Sequence, residues 1–215
     1  RSARADYIIL CEGYMDVIAM HQAGFNMACA SLGTAFTSGQ ATLVRRFAKK
    51  VLLAYDSDTA GTNAALKAIG ILKDMNMGCR IINMEPYKDP DEFIGNLGRD
   101  EFQKRIDDAM DSFFFELKIE ERQYDQKDPD QRTRFLHRVA EKLCEFEDEI
   151  RRENYLVAAA DKYMVQTEQL KRLVIQKATA GAGRERDHVP QISATVKKAT
   201  TEELILKKQR NLDLY

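Results

Sequence analysis

The chain has 215 residues, of which 44% are apolar and 31% are charged, and its formal net charge is −1 at pH 7. This length accommodates one domain of ordinary size and a smaller one. The nearly neutral charge argues against a broad nucleic-acid-binding surface. No apolar run is long enough to span a membrane, so we predict no membrane partner. The four cysteines form no Cys-x-x-Cys pair, which favours free thiols in a reducing cytoplasm.

Strand and helix signals alternate along the first part of the chain. Short apolar runs typical of buried strands are followed by segments whose apolar residues recur at helical spacing. The strands are predicted at residues 7–11, 27–30, 51–55 and 79–84, and the helices at 14–23, 38–48 and 59–75. This alternation favours an α/β fold with a mainly parallel sheet flanked by helices.

Carboxylates follow the first strand. Glu12 lies at its end, Gly13 permits a tight turn, and Asp16 lies in the first turn of the next helix. Asp16 alone could be structural, because the helix dipole favours a carboxylate at that position. Further along, Ser31-Leu-Gly-Thr34 ends the second strand, where its glycine and hydroxyls could approach a phosphate or form an ordinary loop.

Two further carboxylates, Asp56 and Asp58, follow the third strand. Asp58 could simply cap the next helix. Parallel strands all end at one edge of a sheet, however, so Glu12, Asp56 and Asp58 should converge if the two strands are neighbours. Clustered carboxylates repel one another unless a cation neutralises them. Ligands that are all oxygen indicate magnesium or manganese rather than zinc.

Local signals mark the ends of several predicted helices. Thr37 and Gln40 match a capping box at the second helix, and Gly78 is predicted to end the third. Asp89-Pro-Asp91 follows the fourth strand and reads either as a turn before a capped helix or as part of the same group of carboxylates as Glu12, Asp56 and Asp58.

From Gly98 onward apolar residues recur only at helical spacing, so we expect helices without strands over 99–177. Residues 178–201 have the composition of a linker, and a short helical tail follows.

Four motifs in order give the sequence a family resemblance: Glu12-Gly-Tyr-Met-Asp16, Ser31-Leu-Gly-Thr-Ala35, Asp56-Ser-Asp-Thr-Ala-Gly61 and Tyr87-Lys-Asp-Pro-Asp-Glu-Phe93. Together they resemble the Toprim fold and, more closely, the catalytic core of the bacterial DnaG-type primase family. The resemblance extends from about Asp6 to Thr179. It implies a Toprim catalytic subdomain at 1–98, a helical subdomain at 99–178, a linker at 179–201 and the start of a helicase-binding region at 202–215.

The resemblance also implies an activity, which is template-directed synthesis of short RNA primers by two-metal nucleotidyl transfer. Glu12 and Asp56 would hold one Mg²⁺ or Mn²⁺ ion, and Asp56 and Asp58 a second. Asp16, Asp89 and Asp91 would shape the cluster. Glu12 could instead act as a general base. The implied partners are single-stranded DNA, ribonucleoside triphosphates and the replicative helicase, in the bacterial cytoplasm.

Two alternatives stay open on the residues alone. Another Toprim enzyme, a nuclease or part of a topoisomerase, could use the same metals to break phosphodiester bonds. A non-enzymatic receiver or binding module could also carry acidic strand ends, although no lysine stands out after the fourth strand as a receiver requires. The chain starts without methionine, so we expect an excised piece. The family's zinc-binding domain, the one part for which zinc is expected, and its basic amino-terminal half would then precede Arg1.

Overall fold

A computed structural model describes residues 5–31 and 35–187 of the chain. Within these residues the strands are β1 (Ala5–Cys11), β2 (Ala28–Ala30), β3 (Ala48–Ala54), β4 (Gly78–Ile81) and β5 (Met110–Asp111). The helices are α1 (Tyr14–Gln22), α2 (Ser38–Phe47), α3 (Thr59–Asp74), α4 (Pro90–Asp107), α5 (Ser112–Glu121), α6 (Pro129–Cys144), α7 (Glu149–Lys162) and α8 (Thr167–Asp187).

The described strands form one sheet in the order β2-β1-β3-β4-β5. Strands β1 to β4 are parallel, whereas β5 pairs antiparallel with β4. The predicted α/β fold with a mainly parallel sheet is therefore confirmed. The expectation of helices only over 99–177 is wrong at β5. Its two residues carry too little local pattern to be recognised, because they become a strand by pairing with Arg80 and Ile81.

Both faces of the sheet are buried, which explains why its central strands are continuously apolar. Side chains of a strand alternate between the two faces. Ile8 and Leu53 thus pack with residues of α3 such as Ile69, while Ile9 and Leu52 pack on the opposite face with residues of α1 and α4. This two-sided burial fixes the register of β1 and β3.

The ends of two helices show where local signals succeeded and failed. The Thr37 hydroxyl accepts a hydrogen bond from the Gln40 amide, and the Gln40 side chain accepts one from the Thr37 amide, which confirms the capping box. The prediction that Gly78 ends α3 is wrong. The helix ends at Asp74, Asn76 adopts a positive φ of 54°, and Gly78 opens β4.

The chain divides into two compact units, one ending at Leu136 and the other beginning at His137, within α6. The second unit has its own buried apolar residues, including Leu143, Leu156 and Leu170. The division into subdomains at residue 98 stays a prediction. Helix α8 continues to Asp187 and so covers residues 179–187 of the predicted linker. Two glycines suggested a linker there, yet a helix tolerates isolated glycines at a cost of about 1 kcal/mol each.

Part of the predicted organisation lies outside the described residues. This applies to the rest of the linker, to the tail at 202–215, and to residues 32–34 of the second motif. Across the described helices, none combines the length and apolar character that crossing a membrane requires.

Candidate functional site

The carboxyl ends of β1 and β3 lie side by side, because the two strands are neighbours and Cys11 is in register with Ala54. Glu12 follows β1 directly, and Asp56 follows β3 after one more residue. The Glu12 carboxylate accepts a hydrogen bond from the backbone amide of Asp56 through Oε1 at 3.1 Å. The predicted convergence of these two sequence segments is thus a direct contact.

The turn from β3 into α3 is tight, and a glycine makes it possible. Asp58 is the N-cap of α3, since its Oδ1 accepts a hydrogen bond from the Gly61 amide at 2.8 Å. A Cβ atom on Gly61 would lie 2.2 Å from the Asp56 carbonyl oxygen and 2.8 Å from Glu12 Oε1. Gly61 therefore allows Glu12 to approach the start of α3.

Asp16 lies beneath this edge and is buried. Its Oδ2 accepts a hydrogen bond from the Gly13 amide at 3.1 Å, which closes the first turn of α1. The backbone of Asp91 also acts on Asp16 and opposes the rise in its pKa. Asp16 thus closes the first turn of α1, and its role as a metal ligand stays a prediction.

The Asp-Pro-Asp segment brings the start of α4 to the same edge. Asp89 is the N-cap of α4 and accepts a hydrogen bond from the Glu92 amide at 2.8 Å, with Pro90 in the first turn. The Asp91 side chain is exposed. The reading as a turn before a capped helix is confirmed for Asp89. The charge of Asp89 also raises the pKa of Asp16, and a metal-binding role of the segment stays a prediction.

We call Glu12, Asp16, Asp56, Asp58, Asp89 and Asp91 the acidic cluster. The environment of Glu12 and Asp16 disfavours the ionised form of their carboxyl groups. Burial raises the pKa of Glu12 above its ordinary value, and the charges of Asp56, Asp58 and Asp16 raise it further, although the hydrogen bond from the Asp56 amide opposes them. Burial likewise raises the pKa of Asp16. A nearby cation would favour the ionised form of both groups.

One cation already lies at the acidic cluster. Lys88 precedes Asp89, and its Nζ is 3.3 Å from Asp56 Oδ2. The segment that carries it is attached to the turn after β3, because Ser57 donates from its amide to the Lys88 carbonyl at 2.8 Å and from its hydroxyl to the Tyr87 carbonyl at 3.0 Å. Sequence reasoning missed Lys88, because its closeness to Asp56 depends on this contact between distant loops.

The donors of the acidic cluster fit Mg²⁺ or Mn²⁺ in their chemistry, since all are carboxylate oxygens at the end of a rigid sheet. Within the described residues, no three His, Cys, Asp or Glu side chains are arranged as ligands of a single ion. Asp56 instead pairs with Lys88, and Asp58 and Asp89 cap helices. Coordination would therefore require Lys88 to leave Asp56 and the carboxylates to reorient.

A pocket adjoins Asp56 on the face of the sheet that carries α3 and α5. Apolar side chains such as Leu53, Ile81 and Phe115 line it, and two cations four residues apart, Lys118 and Arg122, also line it. The pocket thus combines apolar walls with positive charge beside the acidic cluster. The spacing of the two cations is visible in the sequence, but their position opposite β3 depends on the unpredicted strand β5.

Comparisons with known proteins agree with this geometry. Residues 9–94 match a family model described as Toprim-like. The DNA primase of Clostridium acetobutylicum is 36% identical over 157 residues, which cover 73% of this chain and 26% of that protein. The chain thus spans about a quarter of the length of that relative.

Two solved structures resemble most of the chain. One is a DnaG primase catalytic domain bound to single-stranded DNA, with a TM-score of 0.64 and 29% identity over 78% of this chain and 54% of that one. The other is the RNA polymerase domain of Mycobacterium tuberculosis primase DnaG in complex with double-stranded DNA carrying a 6-nucleotide overhang. Its TM-score is 0.62 and its identity 26%, over 74% of this chain and 51% of that one.

The sheet, the strand-end carboxylates and the family match define a Toprim-like domain. Within that class, the chain is similar to the catalytic cores of bacterial DnaG-type DNA primases over about three quarters of its length.

Proposed function

We propose that this chain is the metal-binding part of a primase catalytic core that joins ribonucleotides on a single-stranded DNA template. The observation that carries the proposal is the convergence of Glu12 on Asp56 and Asp58 at one edge of a parallel sheet. The similarity to primase catalytic cores supports the same reaction. The chain spans about a quarter of the length of the primase from Clostridium acetobutylicum, so primer synthesis by a protein of that length is part of the proposal.

Glu12, Asp56 and Asp58 would hold the divalent cations, two Mg²⁺ or Mn²⁺ ions as the family resemblance implies. When bound, such ions neutralise negative charge on the reacting phosphate oxygens. Asp16 and Asp89 use their carboxylates mainly to fix the starts of α1 and α4, so they position the neighbouring ligands. Asp91 is exposed and contributes charge at the margin of the cluster.

The pocket beside Asp56 supports a nucleotide as the substrate. Joining two ribonucleotides requires a 3′-hydroxyl to attack an α-phosphorus while pyrophosphate leaves. Lys118 and Arg122 would attract the anionic substrate, and the apolar walls near Phe115 suit a base or ribose. The proposed partners are single-stranded DNA, ribonucleoside triphosphates and the replicative helicase, in the bacterial cytoplasm.

The test uses the full-length protein that contains this chain and compares Glu12→Gln with Asp6→Asn. Asp6 is an exposed carboxylate at the opposite end of β1, so its replacement is a matched control. We expect Glu12→Gln to reduce primer synthesis by about 100-fold or more, as loss of a group that stabilises transition-state charge typically does. Single-stranded DNA affinity should stay within about twofold, because phosphate contacts depend on basic residues rather than on Glu12. Primer synthesis at the parental rate would contradict the assignment of Glu12.

A further inference from the structure

Lys88 occupies an unusual position for a surface lysine. Within the described residues, it is the cation that forms an ion pair with a member of the acidic cluster, at 3.3 Å from Asp56. Its hydrogen bond and charge interaction with Asp56 raise the pKa of the ammonium group, and the charges of Asp89 and Asp58 act in the same direction. Lys88 therefore interacts with three members of the acidic cluster at once.

The backbone of Lys88 is held by hydrogen bonds, whereas its side chain is largely exposed. The Lys88 amide donates to Glu92 Oε2 at 2.7 Å, and the Lys88 carbonyl accepts from the Ser57 amide at 2.8 Å. Its side chain is 59% exposed, whereas that of Asp56 is 19% exposed. The hydrogen bonds that hold the loop thus involve the backbone of Lys88 and not its ammonium group.

A divalent cation and the Lys88 ammonium would compete for the same carboxylate oxygens. A divalent ion carries twice the charge, so it can displace the ammonium, but only after the existing ion pair has been broken. An exposed ion pair contributes little net free energy, so Lys88 can lower metal affinity by only a few-fold.

We propose that Lys88 is a built-in competitor of the metal, which neutralises Asp56 when no metal is bound and sets the affinity of the acidic cluster for divalent cations. This inference rests on the proposed function, because it requires metal binding at Asp56. It adds a residue that determines affinity without being a ligand.

The experiment measures Mn²⁺ affinity by electron paramagnetic resonance for four proteins: the parent, Lys88→Met, Lys88→Arg and Lys49→Met. Lys88→Met keeps the length of the side chain and removes the charge, so we expect binding about three- to fivefold tighter. Lys88→Arg keeps the charge and should bind as the parent does. Lys49→Met removes a similar lysine, paired with Asp6 at 2.8 Å at the other end of the sheet, and should have no effect.

Thermal unfolding supplies a readout that does not depend on activity. In chelator, Lys88→Met should melt below the parent, because Asp56 loses its counter-ion, and added Mn²⁺ should raise its Tm by more than it raises that of the parent. The affinity difference should also shrink at high salt, which screens exposed charges. Unchanged or weaker Mn²⁺ binding by Lys88→Met would overturn the inference.

An Asp56→Ala variant separates this inference from the proposed function. If Asp56→Ala abolishes Mn²⁺ binding while Lys88→Met leaves it unchanged, the acidic cluster is a metal site and the role of Lys88 is wrong. If Asp56→Ala binds Mn²⁺ as the parent does, the metal site itself is wrongly assigned, and the role of Lys88 fails with it.

Discussion

The two ends of β1 shift the pKa of a carboxylate in opposite directions. At the amino end, Asp6 is exposed and pairs with Lys49 at 2.8 Å, and this pairing lowers the pKa of Asp6. At the carboxyl end, Glu12 directly follows the strand, and burial and neighbouring carboxylates raise the pKa of Glu12. One end is an ordinary solvated surface, where each charge has its own partner.

The carboxyl end instead concentrates charge of one sign on a rigid frame. Tight turns hold Glu12, Asp56 and Asp58 together, and Lys88 is the one cation ion-paired with them in the part of the chain that the structure describes. Such an arrangement costs stability unless a cation is bound. The comparison therefore favours the proposal that the carboxyl end serves binding rather than stability.

The largest expected effect on stability is the difference between alanine substitutions of two glycines, Gly61 and Gly78, at opposite ends of the sheet. Gly61→Ala should lower the free energy of unfolding by about 1–3 kcal/mol, because its Cβ would overlap backbone atoms of Asp56. Gly78→Ala, at the amino end, should cost less, since its Cβ would meet only the Lys50 side chain at 3.3 Å. Gly70→Ala in the middle of α3 is the control and should be stabilising by up to about 1 kcal/mol. Urea unfolding measures all three, and equal stability of Gly61→Ala and the parent would contradict the close approach.

A smaller effect on stability distinguishes the helix-capping role of Asp58 from the role of its charge. Asp58→Ala should cost about 1 kcal/mol in chelator, because it removes the acceptor for the Gly61 amide. Asp58→Asn keeps that acceptor and relieves repulsion, so it should melt no lower than the parent. A large drop for Asp58→Asn would show that the carboxylate itself, and not only a capping oxygen, is needed for stability.

The smallest effect is on the pH dependence of the free energy of unfolding in the presence of chelator. Glu12 and Asp6, at the two ends of β1, should affect it in opposite directions. The folded pKa of Glu12 is raised, so its favourable contribution is complete below about pH 4.5, its ordinary value, and is lost as pH rises through the folded pKa. The folded pKa of Asp6 is lowered, so its contribution is present above its ordinary 3.8 and is lost as pH falls. Glu12→Gln should therefore lose less stability than the parent between about pH 4.5 and 7, whereas Asp6→Asn should keep the parental slope in that range. Denaturant unfolding at several pH values measures both slopes, and a parental slope for Glu12→Gln would contradict the shift.

Local sequence patterns were sufficient to predict the frame of the site. Strands β1 and β3 are buried on both faces, which leaves continuous apolar runs that end at Glu12 and near Asp56. The capping box at Thr37 located the start of α2. The family motifs then placed the acidic cluster, because their spacing follows the alternation of strand and helix.

Contacts between distant segments were beyond those patterns. Strand β5 exists because two residues pair with β4, and α5, which follows it, brings Lys118 and Arg122 to the pocket that Asp56 also lines. Lys88 reaches Asp56 because Ser57 binds the backbone of its loop. The sequence shows each of these residues, but only tertiary structure shows which carboxylate or pocket each one faces.

The position of bound Mn²⁺ decides whether the acidic cluster at the carboxyl end is a metal site. Crystals of this protein soaked in Mn²⁺ should show anomalous density among Glu12, Asp56 and Asp58, and the density should be absent in Asp56→Ala. The amino end, where Asp6 already has its lysine, should show none. Anomalous density only elsewhere on the surface, or density that persists at full height in Asp56→Ala, would contradict the assignment.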